Sequence, residues 1–246
     1  MGLEIGNVTA VVLAGGFGTR IQHLLAGVPK PMAPVAGRPF LEWVLRYLAR
    51  QGVVKAVLST GYLANAVEDY FRSQPIAGLF TSCVAETDPL GTAGGFLNAR
   101  RLAGESPEAW LVLNGDSLVF ADLSLAVQVL ADAAIAGVLV GCAMEDASRY
   151  GTLALDTNGN LLRFEEKRPG AGVISGGVYL LRDCLITEFP DRLPLSFEQD
   201  VFPQLLRRGF ALKVCVTDAP FLDIGTPESL RLAEAFVQEN RVRLCA

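Results

Sequence analysis

The sequence predicts an α/β fold in which a mostly parallel central sheet carries helices on both faces, with a smaller β-rich part in the second half. Two observations lead there. Short apolar runs alternate with segments of helical periodicity through the first half of the chain, and such alternation builds a parallel sheet covered by helices. The 246 residues, 51% of them hydrophobic, also suit one large domain with a sizeable core.

The elements follow in order. Val8 to Ala14 is a buried strand running into Gly15-Gly16. Phe40, Leu41, Val44, Leu45 and Leu48 recur at helical spacing, and Gly52 closes that helix. Val53 to Leu58 is the next strand, and Val67, Tyr70 and Phe71 mark a second helix. Phe80 to Ala85 is a third strand, followed by a turn at Asp88-Pro89 and a helix from Gly91. Trp110 to Leu113 is a fourth strand ending at Asn114-Gly115-Asp116. Thr152 to Leu155, Leu161 to Phe164 and Val173 to Leu181 continue as strands, with an Asn158-Gly159 turn between the first two. Val201, Leu205 and Leu206 suggest a helix, and Thr226-Pro227-Glu228 opens the last one with an N-cap and a proline at the first helical position.

Composition excludes several roles. The formal charge is −5, from 21 basic and 26 acidic residues, with no long run of one sign. That argues against a general binder of nucleic acid or membrane, and leaves any phosphate ligand to a local cluster of positive groups. Five scattered cysteines form no CxxC pair and read as reduced thiols, and a single histidine, His23, cannot build a His-based metal cluster. No apolar stretch reaches the roughly 20 residues of a membrane span. The N-terminus has no basic region of the signal-peptide kind. These features predict a cytoplasmic protein.

The strongest local signal is Leu13-Ala14-Gly15-Gly16-Phe17-Gly18-Thr19-Arg20. Glycines after a buried strand let backbone N–H groups approach an anion. Thr19 adds a hydroxyl, and Arg20 a permanent charge in a fork that fits phosphate. Lys30, between Pro29 and Pro31, is read as held in a stiff extended segment. The loop lacks the Gly-Lys-Ser/Thr ending of a P-loop, and Ile21 stands where the dinucleotide fingerprint needs glycine. Kinase-type ATP binding and NAD binding are both disfavoured, the second making a Rossmann-type oxidoreductase a remote reading.

Gly15-Gly16-Phe17-Gly18-Thr19-Arg20 followed by Pro29-Lys30-Pro31-Met32 resembles the signature of the sugar nucleotidyltransferases, the nucleoside-diphosphate-sugar pyrophosphorylases. Matches continue at Pro89-Leu90-Gly91-Thr92-Ala93-Gly94, Asn114-Gly115-Asp116, Tyr150-Gly151-Thr152, Glu165-Glu166-Lys167, Gly176-Gly177-Val178-Tyr179 and Leu222-Asp223-Ile224-Gly225-Thr226. The resemblance implies a single Rossmann-like domain over residues 1–246. Its nucleotide-binding half would reach to about residue 117 and its sugar-binding half would follow.

It also implies that Leu13, Gly15, Gly16, Gly18, Thr19, Arg20, Lys30, Glu86, Gly91, Thr92 and Asp116 bind a nucleoside triphosphate. Asn114, Gly151, Glu166, Lys167 and Gly177 would bind a sugar 1-phosphate. Asp116 and Asp223 would hold Mg2+, with Arg20, Lys30, Asp116, Lys167 and Asp223 as the catalytic set. An aspartate at the end of a parallel strand suits a metal beside phosphates. Asp116 next to Gly115 equally suits a turn, Asp223 a helix cap, and Glu166-Lys167 a surface ion pair.

The base follows from Glu86. An ionised carboxylate only accepts hydrogen bonds, guanine offers two adjacent donors, and uracil and thymine offer one flanked by carbonyls. Pyrimidine-specific relatives commonly have glutamine here, so GTP is favoured. The other reading is a solvated loop glutamate. Among the guanylyltransferases, Arg149-Tyr150-Gly151-Thr152, Ile174-Ser175-Gly176-Gly177-Val178-Tyr179 and Ser196-Phe197-Glu198-Gln199-Asp200 are most similar to those acting on heptose 1-phosphates. Mannose 1-phosphate, or a uridylyl- or thymidylyltransferase of a hexose 1-phosphate, is the alternative. A non-catalytic regulatory subunit would be expected to lack some of Arg20, Lys30, Asp116 and Asp223, which are all present. A homodimer is expected on general grounds.

Overall fold

The computed structural model describes residues 2–16, 18, 20–25 and 27–244. In chain order, β1 spans Thr9–Ala14, β2 Pro34–Val35, β3 Arg38–Pro39, α1 Phe40–Arg50, β4 Lys55–Thr60, α2 Ala64–Ser73, β5 Phe80–Ala85, α3 Thr92–Ala103 and β6 Ala109–Asn114. The second half adds β7 Ser117–Val119, α4 Leu123–Leu130, β8 Ile135–Met144, β9 Thr152–Leu155, β10 Leu161–Glu165, β11 Gly172–Arg182, α5 Phe202–Arg207, β12 Ala211–Thr217, β13 Phe221–Asp223 and α6 Pro227–Glu239.

The sheet is parallel where the sequence alternates strand and helix. β5, β4, β1 and β6 lie side by side in that order, all parallel, with Val11 of β1 opposite both Val57 and Val112. β11 then pairs antiparallel with β6, and β8 and β9 pair antiparallel with β11, so the second half is the β-rich part. The chain leaves β1 toward β4 and β5, then crosses back to place β6 on β1's other side. That reversal opens a crevice at the carboxyl ends of β1 and β6, where ligands of open α/β sheets sit.

Side-chain alternation feeds two cores, one on each face. Ala10, Val12 and Ala14 of β1 join Leu111 and Leu113 of β6 beneath α1, α2, α4 and α6. Val11, Trp110 and Val112 face the other way, onto Phe96 of α3 and Phe202 and Leu205 of α5.

Some boundaries differ from expectation. The strand expected from Val53 begins at Lys55, because Val53 closes α1 with its N–H on Leu48 O at 3.1 Å. The apolar run after residue 122, to which no element is assigned from the sequence, forms α4 and β8. Asp122 starts α4 by accepting from Ser124 N at 2.9 Å. α6 starts as expected, and Thr226 and Ser229 form a reciprocal cap. The described cysteines Cys83, Cys142, Cys184 and Cys215 are free thiols, and Cys245 lies outside the described residues.

Glu42 of α1 is a buried charge, its side chain 1% exposed. It accepts from Tyr70 Oη at 2.6 Å and Arg46 Nε at 2.8 Å, and pairs with Arg38. Burial pushes this carboxyl upward, but the hydrogen bonds from Tyr70, Arg46 and Arg38 outweigh it and hold it below the ordinary range. Removing one side of a buried charged network leaves the rest uncompensated. Glu42→Ala is therefore expected to cost about 3 kcal/mol, a Tm drop on the order of 6–12 °C in a thermal melt. Because the folded carboxyl is depressed, its contribution is complete above the unfolded value near 4.3. It is lost as pH falls through the lower folded value, so the gap between wild type and variant closes in acid.

Candidate active site

β1 and β6 end side by side, and the glycine-rich loop after β1 meets Asn114, the last residue of β6, and Asp116 just beyond it. Between them lies a cleft of about 430 Å³, within the range of small-molecule sites. Leu13, Gly15, Gly16, Gly18, Arg20, Lys30, Glu86, Gly91, Thr92 and Asp116 all line it, as does Asn114. Thr19 falls outside the described residues. Ala14, Pro31, Pro89, Leu90 and Gly225 also line the cleft and were not singled out as ligands beforehand.

Glycine is required in the loop by close approach. A Cβ at Gly15 would lie 2.8 Å from Glu86 Oε1, and one at Gly18, whose φ is +60°, would lie 2.6 Å from Lys30 Cβ. Gly18→Ala thus meets both backbone strain and a collision with Lys30. It should lower kcat/KM for nucleotide by at least about tenfold, equivalent to about 1.4 kcal/mol, as measured by steady-state kinetics.

Lys30 departs from the extended segment expected for it. Pro29 is extended, but Lys30–Met32 form a 3-10 turn in which Ala33 N bonds Lys30 O at 3.0 Å. The turn aims the lysine into the cleft. Its Nζ donates to Asp116 Oδ2 at 2.6 Å, with side-chain exposures of 13% for Lys30 and 37% for Asp116. Arg20 is exposed on the rim.

The two aspartates, far apart in the chain, are brought together by the short antiparallel pair β7 and β13. Asp223 stands opposite Ser117, and Ile224 N donates to Asp116 O at 2.9 Å. Asp223 Oδ1 accepts from Gly225 N at 2.8 Å, and Oδ2 accepts from Tyr150 Oη. Burial first, then this bond to Asp223, push the Tyr150 phenol above its ordinary range. Among the described residues no cluster of three or more His, Cys, Asp or Glu forms a metal cage. Two hard carboxylates beside a cleft, one already holding a lysine cation, fit an ion that completes its shell with phosphate oxygens and water.

Glu86 follows β5, where its N–H bonds Thr60 O at 2.7 Å. Its Oε1 accepts from Ser59 Oγ at 2.8 Å, and Oε2 lies 3.4 Å from Leu90 N. It is half-buried in the cleft wall rather than a solvated loop residue. Both oxygens retain acceptor capacity. The first N–H groups of α3 are taken up by the chain itself, Ala93 N and Gly94 N on Leu195 O at 2.9 and 3.2 Å. Thr92 Oγ1 likewise accepts from Phe197 N at 3.0 Å.

The sugar-side residues are divided. Gly177, with φ +69°, packs on Asn114, since a Cβ there would lie 2.6 Å from Asn114 Nδ2. Gly151 stands before β9, against Glu165 O. Glu166 and Lys167 are exposed beyond the end of β10 and do not line the cleft.

The sequence profile of the nucleotidyl transferase family matches residues 9–240. The chain belongs to that family. It is 35% identical over 220 residues to a D-glycero-alpha-D-manno-heptose 1-phosphate guanylyltransferase of Campylobacter jejuni, covering 89% of this chain and 95% of that one. It is 36% identical to a mannose-1-phosphate guanylyltransferase of Mycobacterium tuberculosis over 90% of this chain, but over 62% of the relative's length. The fold superposes with a TM-score of 0.81 on the crystal structure of HddC from Yersinia pseudotuberculosis complexed with GMP-PN, at 32% identity, covering 93% of this chain and 98% of that one. No helix among the described residues is long and apolar enough to cross a membrane.

Proposed function

We propose that this nucleotidyl transferase moves GMP from GTP to D-glycero-α-D-manno-heptose 1-phosphate, giving the GDP-sugar and pyrophosphate. The observation that carries this reading is the cleft in which the glycine loop, Glu86, Lys30 and Asp116 converge. The likeness to the C. jejuni relative, along almost that relative's whole length, supports the substrate pair.

In this reading, residues up to about 117 hold the nucleotide and the remainder holds the sugar phosphate. The glycine loop cradles the phosphates and Glu86 accepts from the guanine edge. A phosphate oxygen of the sugar 1-phosphate attacks the α-phosphorus; the bond from that phosphorus to the α,β-bridging oxygen breaks, and pyrophosphate leaves with the electron pair. The attacking oxygen is already anionic near neutral pH, so no general base is needed. Arg20 and Lys30 screen the phosphate charge, Asn114 and Gly177 bound the sugar side, and Gly151, Glu166 and Lys167, outside the cleft lining, would engage the sugar phosphate. Asp116 and Asp223 would hold Mg2+, which supplies charge neutralisation at the α-phosphate and the leaving group. Alignment of two polyanions and electrostatic stabilisation account for the rate. Reduced thiols and a triphosphate substrate fit a cytoplasmic setting.

Mannose 1-phosphate is the second candidate acceptor, favoured by the 36% identity to the mycobacterial relative. The test is pyrophosphate release with Mg2+ across GTP, ATP, CTP, UTP and dTTP, each with heptose, mannose and glucose 1-phosphates. Turnover concentrated in GTP with the heptose supports the proposal. Preference for UTP or dTTP overturns the base assignment, and preference for mannose 1-phosphate overturns the sugar.

A further inference from the structure

We infer that Tyr150 is a positioning residue for Asp223: its hydroxyl fixes the carboxylate so that the remaining lone pairs face Asp116 and the divalent ion. The inference rests on the reading of Asp223 as a metal ligand. It assigns a task to a tyrosine of the Tyr150-Gly151-Thr152 motif that the mechanism above leaves idle.

Asp223 is gripped from two sides. Gly225 N, two residues on, takes Oδ1 at 2.8 Å, and Tyr150 Oη, 73 residues earlier in the chain, takes Oδ2. The phenol has little freedom. Its ring packs edge-on against Phe221 at 5.9 Å, and the Arg149 guanidinium lies over it at 5.7 Å. Arg149 Nη2 reaches Thr226 Oγ1 at 3.2 Å, and Tyr150 N bonds Ala147 O at 2.9 Å. The loop between β8 and β9 is thus fastened to the β13–α6 junction on both flanks of Asp223.

Tyr150 is half-buried, and satisfying its hydroxyl would not require a site carboxylate. Tyr47, only 1% exposed, gives its proton to a backbone carbonyl, Ala121 O, at 2.6 Å. Tyr150 spends its only proton on Asp223. The two carboxylates also have different direct partners. Lys30 donates to Asp116, whereas a neutral hydroxyl and a backbone N–H hold Asp223. Neutral donors behind a ligand are how outer groups aim a carboxylate at a metal, and their loss typically costs about 10–100-fold in metal affinity.

The test uses Mn2+ as probe, titrated into wild type, Tyr150→Phe and Asp223→Asn with a non-hydrolysable GTP analogue, with free Mn2+ read by electron paramagnetic resonance. Phenylalanine keeps the ring contacts and removes one oxygen. Tyr150→Phe is expected to weaken Mn2+ binding about 10–100-fold, with metal-free nucleotide affinity unchanged. Asp223→Asn is expected to weaken Mn2+ binding further. Excess metal should return kcat of Tyr150→Phe to within about threefold of wild type, a rescue that general damage to the fold would not allow. Wild-type Mn2+ affinity in Tyr150→Phe, alongside weak binding in Asp223→Asn, overturns the positioning role and leaves the metal reading standing. Wild-type affinity in Asp223→Asn overturns the metal reading itself.

Discussion

Asp116→Asn is expected to lower kcat/KM about a thousandfold, equivalent to about 4 kcal/mol of transition-state stabilisation. Asparagine keeps the shape and one acceptor oxygen, so Lys30 retains a partner and the β7–β13 pair is undisturbed. What disappears is the anionic charge at the end of β6 that would hold the divalent ion. Asp116 is partly exposed, with 37% of its side chain accessible, and Lys30, 13% exposed, keeps a neutral acceptor in the asparagine, so the cost to stability is modest. The melting temperature should therefore stay within a few degrees of wild type while pyrophosphate release collapses. A loss of tenfold or less in steady-state assays would remove Asp116 from the catalytic set.

Glu86→Gln should change which base is used. The carboxylate is walled in by the loop and α3, since a Cβ on Gly15 or Gly95 would lie 2.8 or 2.5 Å from its Oε1. It cannot swing aside, and the Ser59 hydroxyl can turn to donate or accept, so glutamine fits the same space. For guanine, a charged acceptor for two donors becomes one carbonyl and one amino group. Hydrogen bonds to charged groups are worth about 1.5–3 kcal/mol, so GTP should lose roughly 30-fold in kcat/KM. A pyrimidine gains a donor for its carbonyl and loses the repulsion, by a similar amount. The ratio of GTP to UTP turnover should fall on the order of a thousandfold. Paired kinetics with the two triphosphates measure it, and an unchanged ratio would place the base elsewhere.

The glycine loop was legible because its neighbours are: an apolar run predicts β1, and three glycines with an arginine have few structural uses together. Thr226-Pro227 was legible for the same local reason, and its capping box is present. Long-range pairings were hidden. β7 and β13 are three residues each, too short for a period-2 pattern, yet they bring Asp116 and Asp223 together. Lys30 and Asp116 were each expected at the nucleotide, but nothing local said that they hold each other. α4 and β8 share one apolar run with little polar punctuation, which leaves helix and strand periods superimposed. Tyr150 carried a signal, its place in a family motif, but its target lies 73 residues away and emerges only from the fold.

Nucleotidyl transfer is expected at the cleft between β1 and β6. Phosphorus NMR of the wild-type protein with GTP, Mg2+ and D-glycero-α-D-manno-heptose 1-phosphate tests it most directly. The triphosphate and sugar-phosphate signals are expected to fall together as a diphosphate diester and pyrophosphate rise in equal amounts. Intact sugar phosphate beside unchanged GTP, or GTP broken down to GDP and inorganic phosphate, would contradict it.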